Sequence, residues 1–247
     1  MMQLRVSYLS KPGDRSVNED ACGFWSHTLT GACFCVVSDG AGGHGGGDVA
    51  SKLVVEHVLS WFHARPQCTP AAVDAALRTA NDILLDRQHD EIRLADMRAT
   101  AVVLALDVRR GIAVWGHLGD SRLYHFRGGR VVFQTRDHSV VQSMVDAGYV
   151  DATEVRRNPK RGSLLAALGD ADGVSPAVVP IPRTIQRGDM FVLCTDGLWE
   201  HVEEYDMERI LGVAGGPERW LREIEATVLA AGAVSHDNYS ALVIACE

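Results

Sequence analysis

The sequence has 247 residues, 47% of them hydrophobic, and a formal net charge of −8; that length suits one β-rich domain with added helices. The negative charge and the lack of any basic run give a nucleic-acid surface no electrostatic footing. No apolar run approaches the ~18 residues that a bilayer crossing needs, and the start MMQLRVSYLSKPGDR lacks the apolar centre of a signal peptide, so the expected setting is the cytoplasm, with no membrane partner.

Short strands are expected at Leu4–Leu9 and Cys22–Trp25, then an apolar run at Ala32–Val37 ending on Ser38 and Asp39. Beyond the glycines of 40–47, the spacing of Val49, Leu53, Val54, His57, Val58 and Trp61 predicts a helix over Asp48–His63. Pro70–Asp90 reads as a second helix, with Thr69 as its cap and proline at its first position. Four strands follow, Ala99–Val108, Gly111–Gly119, Ser121–Arg127 and Arg130–Gln134, the last two joined by a Gly128-Gly129 turn. Ser139–Ala147 reads as a helix and Thr153–Asn158 as a further helical turn. A strand at Met190–Thr195, helices at Asp206–Val213 and Pro217–Ala231 and a strand at Ser240–Cys246 complete the chain. Strands in blocks, without βαβ alternation, predict an α+β fold: two antiparallel sheets face to face, with helices outside, in one domain spanning 1–247.

The six cysteines are dispersed, without CxxC spacing, and read as reduced core thiols. Cys33 and Cys35 would share one face of a strand with no second ligand pair nearby, so no zinc site is expected.

Three aspartates stand at strand ends beside residues that let the backbone turn: Asp39 in CVVSDG, Asp196 in VLCTDG and Asp237 in HDNYSALVI. Glu19 and Asp20 in RSVNED and Asp120 in GDSR add three acids beside strands. Any single Asp-Gly is an ordinary turn former. Several carboxylates packed together, however, carry unpaired charge that hard divalent cations would neutralise. Gly40 lets its backbone approach an ion closely and offers its carbonyl as a ligand. The glycines that follow lack the GK[ST] of a nucleotide-phosphate loop. Arg15 lies on the same segment as Glu19 and Asp20, and a guanidinium suits bidentate contact with phosphate oxygens.

In order, RSVNED at Arg15–Asp20, SDGAGGH at Ser38–His44, ATAVVLAL at Ala99–Leu106, GDSRLY at Gly119–Tyr124, DHS at Asp137–Ser139, TDGLWE at Thr195–Glu200 and HDNYSALVI at His236–Ile244 form a series spanning nearly the whole chain. The series resembles the metal-dependent, type 2C serine/threonine protein phosphatases, and the AGGH form and short length resemble their bacterial branch. The resemblance implies a central β-sandwich flanked by helices on both sides, with a flap subdomain at about 140–172. It implies two ions, Mn²⁺ or Mg²⁺: Asp39 bridging both, the Gly40 carbonyl on one, Asp196 and Asp237 on the other, and Asp20 and Glu19 acting directly or through water. Asp120 would help to hold a third, more labile ion, with His44 and Asn238 behind the ligands. Hydroxide bridging the ions would attack phosphorus, with Arg15 clamping the phosphate and, with Asp39, forming the catalytic set.

The implied partners are phosphorylated proteins and an opposing serine/threonine kinase, and a monomer is the default. Two other functions are alternatives: a non-catalytic phosphoprotein-binding member of the same fold, against which the retention of Asp39, Asp196, Asp237 and Arg15 argues, and a phosphatase of small phosphorylated metabolites, whose metal chemistry would be the same. Animal members often carry histidine where this chain has Ala41, which leaves the general acid unassigned. Arg156, Arg157, Lys160 and Arg161 make the flap basic, which would favour acidic phosphopeptides.

Overall fold

The computed structural model describes residues 2–42, 46–231 and 236–247. One sheet has five strands: β1 (Leu4–Lys11) at its edge, then β12 (Tyr239–Cys246), β11 (Met190–Cys194), β7 (Arg122–Arg127) and β8 (Arg130–Gln134). The other runs β10 (Arg183–Thr184), β6 (Ile112–Leu118), β5 (Ala101–Asp107), β3 (Ala32–Ala41), β2 (Asp20–His27), with β4 (Arg98–Ala99) beside β3 and β9 (Ala177–Val178) beside β6. Every pairing is antiparallel. The expected α+β sandwich is therefore present.

The central strands read as unbroken apolar runs because both of their faces are covered. On β11 and β12, Phe191, Leu193, Leu242 and Ile244 join the core shared with the second sheet. Their neighbours Met190, Val192, Ala241 and Val243 face the other way, toward α5 (Glu204–Ala214) and α6 (Pro217–Ala230). Helix α6 buries Trp220, Leu221, Ile224 and Val228, an apolar stripe at helical spacing. The Trp220 indole N–H donates to the Met207 carbonyl at 3.0 Å and ties the two helices together. The second sheet is covered by α1 (Gly47–Ala64) and α2 (Pro70–Asp90), with Phe62 stacked on Phe34 at 4.3 Å.

Local signals behave as expected where they are self-contained. Thr69 Oγ1 accepts the Ala72 N–H at 3.2 Å, and Gly128 and Gly129 both take positive φ in the β7–β8 turn. The six cysteines are free, and the Cys33 and Cys35 sulfurs lie 3.8 Å apart on one face of β3. The strand expected over Ala99–Val108 divides at Thr100, and β2 starts at Asp20 instead of Cys22. Strands β9 and β10 and the four-residue helix α4 (Asp196–Trp199) carry no period long enough to read. Between α3 (Val140–Asp146) and β9 the chain is largely irregular, held by bridges from Ser139 to Leu164 and from Ala99 to Leu168.

Leu242→Ala removes a fully buried side chain between the sheets and should lower the unfolding free energy by about 2–5 kcal/mol in urea denaturation. A loss below about 1 kcal/mol would contradict this packing.

Candidate functional site

The carboxylates gather at one end of the sandwich, where strands from both sheets stop. Asp20, the first residue of β2, lies directly opposite Asp39 near the end of β3. Asp196 follows β11 at the start of α4, and Asp237 precedes β12. Asp120 sits where the chain leaves β6 in one sheet and enters β7 in the other. Asp39, Gly40, Asp120, Asp196, Asp237, Glu19 and Arg15 all border one cleft of about 530 Å³; Asp20 is buried behind it.

Hydroxyl side chains hold these acids in place. Thr195 Oγ1 donates to Asp20 Oδ2 at 2.8 Å, a bond that joins the two sheets, and accepts the Ser240 N–H at 2.9 Å. Thr100 Oγ1 accepts the Asp39 N–H at 3.0 Å and lies 2.7 Å from Ser121 Oγ, while the Thr100 N–H donates to the Asp39 carbonyl at 2.8 Å. Ser38 Oγ donates to the Thr100 carbonyl at 2.6 Å. Gly119, before Asp120, takes φ +96° and packs against Thr100, so a side chain there would be both strained and crowded. Gly40 leaves no room for a Cβ, which would run into the carbonyls of Gly47 and Glu19. Its N–H donates to the Glu19 carbonyl at 3.0 Å.

Behind Asp120 lies a buried cation. Arg122 makes a two-pronged pair with Asp137 at 2.9 and 2.8 Å, and its guanidinium stacks 3.5 Å over the Trp199 ring. The Trp199 indole N–H donates to the Asp120 carbonyl at 2.9 Å, so this stack links α4, which carries Asp196, to the Asp120 turn. Asn238 pins the Arg15 segment: its Oδ1 accepts the Glu19 N–H at 2.8 Å, and its amide donates to the carbonyls of Pro12 and Val17 at 2.8 and 3.0 Å.

The electrostatics are those of crowded like charges. Burial, then the nearby Asp196, Asp20 and Asp120, pushes the Asp39 carboxyl well above the usual range. Burial and Asp196 do the same to Asp120. Burial raises Asp20 to about 7 against the lowering effect of its Thr195 and Ser240 hydrogen bonds, and burial with Glu200 and Asp237 raises Asp196 to about 6. Burial also raises Glu19. One oxygen of Asp20, Oδ1, is buried without a hydrogen-bond partner. Arg15 pairs with Asp237 at 2.8 Å. Among the described residues no three His, Cys, Asp or Glu side chains already close around one point as a formed ion site; the acids line a cleft wall instead. The donor set is all oxygen, as hard divalent cations require, and both the orphaned Oδ1 and the raised carboxyls fit added positive charge.

Asp39, Gly40, Asp120, Asp196, Asp237, Glu19, Arg15 and Asn238, expected together from the sequence, line one cleft; His44 lies outside the described residues. Thr100, Thr195 and the Arg122–Asp137–Trp199 stack are not among the residues expected from the sequence. The one available signal is a hydroxyl residue beside three of the acids: Ser38 before Asp39, Ser121 after Asp120 and Thr195 before Asp196. Segment 140–172 is less basic than its sequence implies: Arg156 pairs with Glu204 at 2.8 Å and Arg161 with Glu200 at 2.6 Å.

Comparison with known proteins agrees with this geometry. The chain is 31% identical over 220 residues to the serine/threonine protein phosphatase PstP of Mycobacterium tuberculosis, which covers 88% of this chain but 40% of that protein; the chain thus spans less than half of that relative. The structure superimposes on the serine/threonine phosphatase Stp1 of Staphylococcus aureus with a TM-score of 0.90 at 26% identity, covering 99% of this chain and 96% of that one. It superimposes on the catalytic domain of PstP in complex with two manganese ions with a TM-score of 0.82 at 28% identity, covering 100% and 99%. Residues 10–213 match the family model for protein phosphatase 2C, and the chain belongs to that family.

Proposed function

We propose that this chain hydrolyses phosphoserine and phosphothreonine in proteins, opposing a serine/threonine kinase, with two divalent ions, Mn²⁺ or Mg²⁺. The observation that carries this reading is the cleft itself: buried carboxylates without enough counter-charge, bordered by a guanidinium. Asp39, the Gly40 carbonyl, Asp196, Asp237 and Asp20 would hold the two ions, Glu19 and Asn238 would steady them, and Asp120 would serve a third. When bound, such ions supply positive charge for the phosphate and acidify water. The two manganese ions in the PstP structure support the choice of metal.

The protein's own groups do the rest. The Arg15–Asp237 pair is solvent-exposed, and such a pair is worth about 0–1 kcal/mol. Arg15 can therefore exchange Asp237 for a phosphate dianion at little cost, and Asp237 is freed toward the cleft. Thr100, Thr195 and the Gly40 packing fix Asp39 and Asp20 against movement, so orientation is set before substrate arrives. In the overall reaction water adds to phosphorus, the ester P–O bond breaks, and the leaving oxygen takes a proton to become the seryl or threonyl hydroxyl. Segment 140–172 acts as a flap beside the cleft, contributing Gly162 and Leu164 to its wall. A cytoplasmic setting and a monomeric state complete this reading; six free thiols support the first.

With metal stripped by EDTA, the raised carboxyls bind protons more tightly folded than unfolded, so their contribution to stability should fall as pH rises from about 4 to about 7, the range set by Asp20. Four histidines whose pKa burial lowers, His117, His125, His138 and His201, act with the opposite sign in the same window, and ion-paired acids with lowered pKa, such as Glu204 and Asp189, act below it. The histidine contribution is common to the metal-free and metal-loaded protein, so the rise in melting midpoint that saturating Mn²⁺ gives over EDTA should grow across the window. A rise that shrinks steadily as pH increases would contradict the crowded site.

Asp39→Asn should cut Mn²⁺-dependent hydrolysis of a phosphothreonine peptide by about 100-fold or more, a barrier increase of about 3 kcal/mol, with circular dichroism retained. Wild-type turnover in that variant would defeat the assignment. Arg15→Ala should raise the KM for the same peptide about tenfold and leave Mn²⁺ affinity by calorimetry intact; a lost metal affinity would move Arg15 from substrate to site assembly.

A further inference from the structure

Two apolar side chains border the charged cleft and pack into no core. Val17, two residues after Arg15, is 51% exposed and lines one wall; Leu164, partly exposed, lines the flap side. Neither position is slack. The Val17 carbonyl accepts from the Asn238 amide at 3.0 Å, and Asn238 is itself buried and held by the Glu19 N–H. Leu164 is gripped from both sides, the Val140 N–H donating to the Ser163 carbonyl and the Leu165 N–H to the His138 carbonyl, each at 2.8 Å. An exposed valine and leucine on fixed backbone leave apolar surface facing water at the mouth of a site otherwise built from carboxylates, small residues and a guanidinium. Such surface gains only by covering another apolar group.

We infer that Val17 and Leu164 form an apolar lip that selects polypeptide substrates carrying an apolar side chain next to the phosphorylated residue. The inference rests on the phosphatase reading and names its substrate class. The cleft's continuity fixes the occupant: a phosphate drawn toward Arg15 brings the residue beside it between the two walls. A sugar phosphate or other hydroxyl-rich metabolite would set polar groups against the lip and leave them unpaired.

The test uses the Mn²⁺-loaded protein with p-nitrophenyl phosphate and a set of phosphothreonine peptides identical except for the flanking residue: leucine, serine, glutamate or lysine, on each side in turn. Leucine on one side should lower KM about five- to tenfold relative to serine, with kcat changed little. Val17→Ser and Leu164→Ser should each shrink that ratio toward one, through KM and not kcat; both substitutions are at partly exposed positions, and melting curves check that the variants fold. Turnover of p-nitrophenyl phosphate with equal KM for every peptide, or a leucine preference that survives both substitutions, overturns the lip. Absence of turnover on every substrate by folded, metal-loaded protein overturns the phosphatase reading and the lip with it.

Discussion

The cleft depends on like charges being held together by neutral groups. Asp20 and Asp39 face each other across adjacent strands, an arrangement that costs free energy in any sheet, and Asp120 and Asp196 are near enough to raise Asp39 further. The opposition is sustained by hydroxyl contacts, one from the other sheet and the rest from the neighbouring strand and the inter-sheet turn. Thr195, at the end of a strand in the five-stranded sheet, donates to Asp20 in the other; Thr100 and Ser121 brace Asp39 from the neighbouring strand and from the inter-sheet turn. The large apolar core supplies the stability against which this local strain is set. A protein of ordinary stability, about 5–15 kcal/mol, can hold several crowded carboxyls only if the rest of the fold is well packed.

The buried Arg122 explains why the crowding does not spread. Its charge lowers the upward push on Asp120, yet it is fully engaged by Asp137 and stacked on Trp199, so it cannot turn into the cleft and take the place of an ion. Breaking such a buried pair by removing one partner typically costs about 3–5 kcal/mol. The residue thus works as a fixed background charge, while Arg15, on the surface and loosely paired, is the cation that can change partners. Two arginines of the same chemistry are separated into a structural and an exchangeable role by burial alone.

How much of this was legible in the sequence follows from how local each signal is. The two-sided apolar runs around Val36, Leu104, Val192 and Val243 announce covered sheets, and acids at the ends of those runs announce the cleft, because strand ends of a sandwich must converge at its rims. The Thr69 cap and the Gly128-Gly129 turn are readable because each involves a few consecutive residues. What could not be read depends on pairing between distant segments. The Arg122–Asp137 pair joins the start of β7 to the loop after β8, and the division of one expected strand into β4 and β5 occurs because Thr100 turns to serve Asp39. Thr195 looks like the last residue of a strand, and only the neighbouring sheet shows that its hydroxyl is committed to Asp20. The basic stretch at 156–161 misleads for the same reason, since Glu200 and Glu204, which neutralise Arg161 and Arg156, lie about forty to fifty residues away.

The rim of the cleft obeys a different rule from its floor. Floor residues are held by hydrogen bonds between hydroxyl or indole side chains and their carboxylates or backbone and by glycine packing, so substitutions there disturb several partners at once. At the rim, backbone contacts hold Val17 and Leu164 while their side chains remain uncommitted. On the proposed reading, a site divided in this way would keep its phosphate chemistry constant while the identity of two exposed side chains changed what is brought to it. The Asn238 amide is where the two requirements meet: one side chain positions the backbone of Glu19 beside the acids and the carbonyl of Val17 at the lip. A single buried amide therefore fixes the five-residue segment from Arg15 to Glu19, which carries the guanidinium, one side chain of the rim and one of the acids.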